Sequence, residues 1–246
     1  RGGLKAHVFL PADIPPLFLL ETQAMGADVR TVQGNISDAG RAPADEAKKN
    51  DWYDCATFKE PYRVEGKKTM GYELAEQMGW KLPDAILYPT GGGTGLVGMW
   101  KAFGEMETMG FVGPPRPRMY AVQAEGCAPV VKAFGEGKSE VEFWPDAATH
   151  ALGLRVPKPY ADALILDAIR QSHGAAIAVS EEEIMAGVRE ASANGGLFMA
   201  PEGGACGGGL RQLPTSGHLS RDDTVVVYNT GTGLKYTDVM APLFKR

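Results

Sequence analysis

No apolar run in this 246-residue chain approaches the roughly 18 residues of a membrane span, so no membrane partner is expected. There is no basic tract either: 25 lysines and arginines against 30 acidic residues leave a formal net charge of −5. Binding to a phosphate backbone depends on clustered cations, and nucleic acid is therefore not an expected partner. No segment joins a basic start to an apolar middle and a small-residue cleavage site. The four histidines (His7, His150, His173, His218) fall at no metal-ligand spacing, and the three cysteines (Cys55, Cys127, Cys206) are an odd count with none. No metal is expected. The cysteines read as buried small apolar residues, and a reducing, cytoplasmic compartment fits them. Internal repeats are also lacking.

What the chain does have is glycine, 32 residues of it, gathered in short runs beside apolar segments. Strand-like runs alternate with helix-like ones, the pattern of an α/β protein with a parallel sheet. Residues 5–10 read as a strand stopped by Pro11, residues 14–25 as a helix capped by Gly26, and residues 28–32 as the next strand. A polar helix follows over residues 35–50, then a helix over 69–78 and a strand over 85–88. In the next helix Leu96, Met99, Trp100, Phe103 and Met106 form one apolar stripe, which reads as core packing. Residues 118–122 are a strand, 138–158 a long loop with one short element, 160–172 a helix, 175–179 a strand and 224–228 the last strand. Ser180 and Glu183 form a capping box. A soft boundary near residues 57–63, where a polar helix gives way to a turn at Gly66, separates a small α/β unit (1–60) from a larger one (61–246).

The strongest chemical signal is Tyr88-Pro89-Thr90-Gly91-Gly92-Gly93-Thr94-Gly95-Leu96, between a buried strand and an amphipathic helix. Adjacent glycines remove Cβ atoms that keep a backbone away from an anion, and their N–H groups join those of the helix start in one concavity. No Lys-Ser/Thr pair follows, as a nucleotide P-loop requires, and Leu96 stands where a dinucleotide fingerprint has its third glycine. Four glycines in five residues exceed the needs of a tight turn, so a phosphate or carboxylate is the expected occupant. Asn229-Thr230-Gly231-Thr232-Gly233-Leu234-Lys235 follows another strand. Both segments leave carboxyl ends of strands, where open α/β sheets bind ligands, so both can line one crevice.

Two weaker segments remain. Glu60-Pro61-Tyr62-Arg63 opens a charged turn into a helix, in which Arg63 is either a solvated cap residue or a bidentate anion clamp. Ala200-Pro201-Glu202-Gly203-Gly204, with the glycines after it, suits a helix start packed closely on the sheet, with Glu202 as a cap or a polar wall of the crevice.

Taken in order, Glu65-Gly66-x-Lys68-Thr69, Gly91-Gly92-Gly93-Thr94-Gly95, Pro201-Glu202-Gly203 and Thr230-Gly231-x-Gly233-Leu234-Lys235 resemble the threonine synthases. More broadly they resemble the fold-type II pyridoxal-phosphate enzymes, the tryptophan-synthase-β-like group. The resemblance implies open, mostly parallel twisted sheets with helices on both faces. It implies pyridoxal 5'-phosphate as cofactor, with Gly91, Gly92, Gly93, Thr94 and Gly95 on its phosphate and the Thr230 hydroxyl on its pyridine nitrogen. It further implies an amino-acid substrate, O-phosphohomoserine, whose phosphate Arg63 binds, and conversion of that substrate and water to threonine and phosphate.

Two departures qualify this. The family's Ser-x-Lys-Asp motif, which carries the cofactor lysine, and its Ser-x-x-Asn motif do not occur; none of the thirteen lysines stands in a matching context, Lys101 included, so no catalytic residue is assigned. Arg1-Gly2-Gly3 resembles the stretch just after the second motif, so the chain reads as the family without its N-terminal portion, a state that would expose apolar surface and admit association as a homodimer. Thr57-Phe58-Lys59-Glu60 replaces the Asn and Ser residues common before the proline, and a carboxylate there disfavours a dianion unless it points away. The alternatives are another lyase of the same fold, such as a threonine/serine dehydratase, or a non-catalytic phosphate-ligand module.

Overall fold

The computed structural model describes residues 2–34, 36–213 and 217–244. Its larger sheet is built around strand β3 (Ala85–Pro89), which is buried at every position as a strand covered on both faces must be. Strand β4 (Arg118–Ala124) pairs with one edge of β3 and β6 (Val225–Val227) with the other, while β5 (Ala176–Val179) lies outside β4. All three pairings are parallel. The chain thus walks outward from β3 to β5 and then returns to the far side of β3, so the strand order reverses between β3 and β6.

Alternation along the strands sorts the core into two layers. Ile86, Tyr88, Met119 and Ala121 face α5 (Thr94–Thr108) and α7 (Asp162–Gln171), meeting Leu96, Met99, Phe103, Met106, Ile165 and Ile169. Leu87, Tyr120 and Val122 face the opposite way, toward Ile184 and Val188 of α8 (Glu181–Gly195) and Cys206 of α9 (Pro201–Gln212). Each fully buried side chain of this size contributes about 1.5–3 kcal/mol relative to exposure, so this double-sided burial holds β3 and its ends in place. Ahead of the larger sheet, β1 (His7–Pro11) and β2 (Asp28–Val32) form a separate parallel pair, with α1 (Pro16–Ala24) between them and α2 (Ile36–Asn50) after. Contacts tie the two parts together: Arg155 to Asp13 at 2.8 Å, Lys235 to Glu21 at 2.5 Å, and Phe18 edge-on to Tyr236 at 5.5 Å.

Several local expectations change. Gly66 lies inside α3 (Tyr62–Lys67), which precedes α4 (Thr69–Gln77), and forms no turn. A short helix α6 (Pro129–Gly135) follows β4 where no element was expected. The capping box is present, with the Glu183 N–H donating to Ser180 Oγ at 3.2 Å and the Ser180 N–H to Glu183 Oε2 at 2.8 Å. The glycines of α9 serve chiefly a helix–helix contact: a Cβ on Gly204 would lie 2.4 Å from the Ile184 carbonyl, and one on Gly187 2.3 Å from the Gly204 carbonyl. Against the sheet the approach is looser, 3.2 Å from Gly209 to Val122. Cys127 and Cys206 are buried, but Cys55 is exposed. Among the described residues no helix is long and apolar enough to cross a membrane.

Candidate active site

The glycine segment begins at the C-terminal end of β3. Thr90 is fully buried; its N–H donates to the Val122 carbonyl at 2.8 Å and its hydroxyl to the Tyr88 carbonyl at 2.9 Å. Gln123, also buried, braces the turn, giving its Nε2 to the Thr90 carbonyl at 3.0 Å and accepting from the Val130 N–H at 2.9 Å. Gly93 then takes a left-handed conformation (φ +73°) and caps α5. The next N–H to find a protein acceptor is that of Val97, on the Gly93 carbonyl. Between them, the six N–H groups of residues 91–96 have no acceptor among the described residues. Four of these are the free donors of any helix start, and the other two extend the row around the loop. Buried donors left unpaired cost about 1–3 kcal/mol each, so this row suits an anion.

The glycines themselves have a different cause from the one expected. A Cβ on Gly91 would lie 2.1 Å from the Gly153 carbonyl, one on Gly93 2.2 Å from Ile165 Cδ1, and one on Gly95 2.0 Å from the Tyr88 hydroxyl. Protein already fills those positions. Only at Gly92 is a Cβ accommodated, 3.5 Å from the Thr57 methyl. The loop therefore offers an anion its N–H groups, and its lack of side chains is demanded by packing. Tyr88, whose pKa burial pushes up to about 12, keeps a neutral hydroxyl over the helix start.

These residues line a cavity of about 460 Å³. Its opposite wall is the segment after β6, the strand next to β3, so both loops leave the same end of the sheet at the reversal of strand order, where such sheets bind ligands. Thr230 lines the cavity, and its hydroxyl has no protein partner among the described residues. The Ala200 N–H donates to the Gly231 carbonyl at 3.1 Å and fixes this loop against the start of α9. Gly91, Gly92, Gly93, Thr94, Gly95 and Thr230 thus meet in one space.

Between these walls sits Glu202, buried, whose Oε1 accepts from the Gly153 N–H at 2.7 Å and the Tyr236 hydroxyl at 2.5 Å. Of the two readings of Glu202, the polar wall is the observed one. Burial first, and the Glu202 charge second, raise the Tyr236 pKa, so Tyr236 stays a donor. Gly153 and Tyr236 carry no local signal that marks them as partners of Glu202. Phe18 of α1 and two lysines, Lys67 and Lys235, are also part of the lining.

Arg63 is set back from the cavity. Its guanidinium donates to the Cys55 carbonyl and, at 3.4 Å, to the Thr57 hydroxyl, and Thr57 is the neighbour of Gly92. Glu60 caps α3, accepting from the Tyr62 N–H at 2.5 Å and the Arg63 N–H at 3.1 Å, and does not line the cavity. Lys101 lies outside the cavity and pairs with Glu65. Among the described residues no group of three or more His, Cys, Asp or Glu side chains could hold a metal.

A family profile described as pyridoxal-phosphate dependent enzyme matches residues 1–231. The chain is 34% identical over 240 residues to a protein named threonine synthase from Methanocaldococcus jannaschii, covering 97% of this chain and 58% of that protein. Identity is also 34%, over 236 residues, with the threonine synthase of Methanosarcina acetivorans, at 96% and 58% coverage. The chain thus spans about three-fifths of the length of these relatives. Two solved structures share its fold: the processed threonine deaminase isoform 2 of Solanum lycopersicum (TM-score 0.76, 19% identity, 97% of this chain and 63% of that one) and an L-serine ammonia-lyase of Rhizomucor miehei (TM-score 0.79, 18% identity, 99% and 76%). Sheets, site and match agree, and the chain belongs to the family of pyridoxal-phosphate dependent enzymes.

Proposed function

We propose that this chain is the cofactor-phosphate part of a threonine synthase, acting on O-phosphohomoserine and water to give threonine and phosphate. The observation that carries the reading is the row of N–H groups from Gly91 to Gly95, without an acceptor among the described residues, sharing one cavity with a Thr230 hydroxyl that likewise has no partner among them. A flat ring bearing a phosphate at one end and a nitrogen at the other fits that pair, and about 460 Å³ lies within the usual range for such sites. Gly91, Gly92, Gly93, Thr94 and Gly95 would hold the phosphate and Thr230 the ring nitrogen. When bound, the cofactor supplies an electron sink for carbanion chemistry on the substrate.

The chain's own residues supply position and charge. The helix start and loop donors fix the phosphate without a cation. A neutral hydroxyl at the ring nitrogen leaves that nitrogen without a full positive charge, which suits elimination and replacement. Tyr88 and Glu202 close the walls, and Arg63 is within one residue of the loop to orient an anionic substrate. Glu60 has its carboxylate engaged by two N–H groups at the start of α3, which offsets part of its repulsion of that anion. Residues 1–60 we read as part of a smaller unit over the larger one, 61–246. The three free cysteines suit a cytoplasmic setting, and a homodimer is the assembly we would look for by sedimentation.

The test is product analysis with the full-length protein that contains this chain. Threonine and phosphate in equal amounts from O-phosphohomoserine support the reading. Ammonia and a keto acid from unphosphorylated threonine or serine, with no turnover of the phosphorylated substrate, would replace it with a dehydratase.

A further inference from the structure

Lys67 is the last residue of α3 and lines the same cavity as the glycine loop and Thr230. It is there because α3 and α5 approach backbone to backbone: a Cβ on Gly98 would lie 3.0 Å from both the carbonyl carbon and the Cβ of Lys67. Gly98 stands one helical turn beyond Thr94, on the same face of α5, so the stem of Lys67 starts one turn from the helix start whose N–H groups have no acceptor among the described residues. Arg63 is one turn before Lys67 on α3, again on a shared face, and Thr57 connects its guanidinium to Gly92.

The other cations nearby are spent. Lys68 pairs with Glu65 at 2.5 Å and Glu105 at 2.8 Å, Lys101 pairs with Glu65, and Lys235 pairs with Glu21. Lys67 has no ion pair among the described residues. A cation beside the positive end of a helix is unfavourable by itself. The one carboxylate of the cavity lining, Glu202, is engaged by Gly153 and Tyr236. The loop donors suffice for one phosphate, and Lys67 with Arg63 is a surplus of positive charge beside it.

We propose that Lys67 is a ligand for a second phosphate-monoester group in this cavity, that of the substrate, and that Arg63, set back from the lining behind Thr57, adds a second positive charge matched to a dianion. This deepens the synthase reading and rests on it. Lys67 makes a charge-assisted contact with phosphate oxygens and leaves the cofactor phosphate to the loop.

The experiment uses the full-length, cofactor-loaded protein and inorganic phosphate as probe, read through the perturbation of cofactor absorbance. Lys67→Gln raises the phosphate Kd about tenfold and flattens its dependence on ionic strength. Lys67→Arg stays within about threefold of the parent, and the cofactor Kd, measured by dialysis, changes less than about threefold in either variant. Unchanged phosphate binding in Lys67→Gln overturns the proposal; if Arg63→Ala weakens phosphate in that case, the synthase reading survives without Lys67. Equal loss of cofactor and phosphate in Lys67→Gln also overturns it, because Lys67 then serves the cofactor. A parent protein that binds no phosphate overturns the subsite together with the synthase reading.

Discussion

Gly92 and Thr230 lie on the walls of one cavity, each on the loop that leaves one of two neighbouring parallel strands, β3 and β6. Everything chemical about the chain follows from that pairing, because it sets a row of main-chain donors across from a lone hydroxyl.

Thr230→Ala removes a hydroxyl that no described protein group uses. Its effect should fall on the ligand alone: about 1 kcal/mol lost in cofactor affinity with an unchanged unfolding midpoint. Equilibrium dialysis and thermal unfolding, run side by side, measure the two. A lower melting temperature with unaltered affinity would remove Thr230 from the ring.

The two middle glycines should part company. Gly93→Ala forces a left-handed residue and a Cβ 2.2 Å from Ile165, and is expected to cost about 1–3 kcal/mol of stability. Gly92→Ala meets only the Thr57 methyl at 3.5 Å and should stay within about 0.5–1 kcal/mol of the parent. Urea unfolding of both variants decides, and equal losses would contradict the packing account.

Alkaline stability should be set by buried phenols. Burial raises Tyr88 and Tyr228 to about 12 from an ordinary value of 10.0. Between those values the folded chain keeps protons that the unfolded chain has released, so stability is complete below pH 10.0 and falls as pH rises toward 12. Tyr88→Phe should flatten that fall, as read from urea midpoints across the window. An identical slope in the variant would mean that Tyr88 ionises freely in the native state.

Arg63→Ala should raise KM for the phosphorylated substrate by the equivalent of about 1.5–3 kcal/mol while kcat changes little. Steady-state kinetics on the full-length protein would show it. A fall confined to kcat would place Arg63 at the reacting atoms instead.

Tyr236→Phe takes one of two donors from buried Glu202. A loss of about 1–3 kcal/mol is expected, reduced when Glu202→Gln is made with it, because the two share one interaction. A double-mutant cycle in urea tests this, and strict additivity would show that the contact carries nothing.

Much of this was readable in the residues. Local signals alone bound Asp28–Val32 and the start of α4 at Thr69, and the two glycine segments fall in one crevice because each leaves the carboxyl end of a parallel strand. Chain-distant partners account for what was missed. Gly153, Ile165 and Tyr88 determine where the loop needs glycine, and no local pattern joins them. Gly66 is helical because Glu60 caps α3 and α3 packs on α5 through Gly98; those contacts outweigh the usual cost of about 1 kcal/mol for a glycine inside a helix. The short α6 has only seven residues, too few for a periodic signal. Cys55 is exposed, on a segment whose carbonyl at that residue accepts from the Arg63 guanidinium; nothing in the residues around it signals that exposure.

The three occupied glycine positions carry one last implication. Residues from a turn, a helix and a strand wedge the loop into place, so its curvature is a property of the scaffold and exists before any guest arrives. Entry of an anion then needs no refolding of the receptor, and the entropy lost on association is chiefly the guest's own.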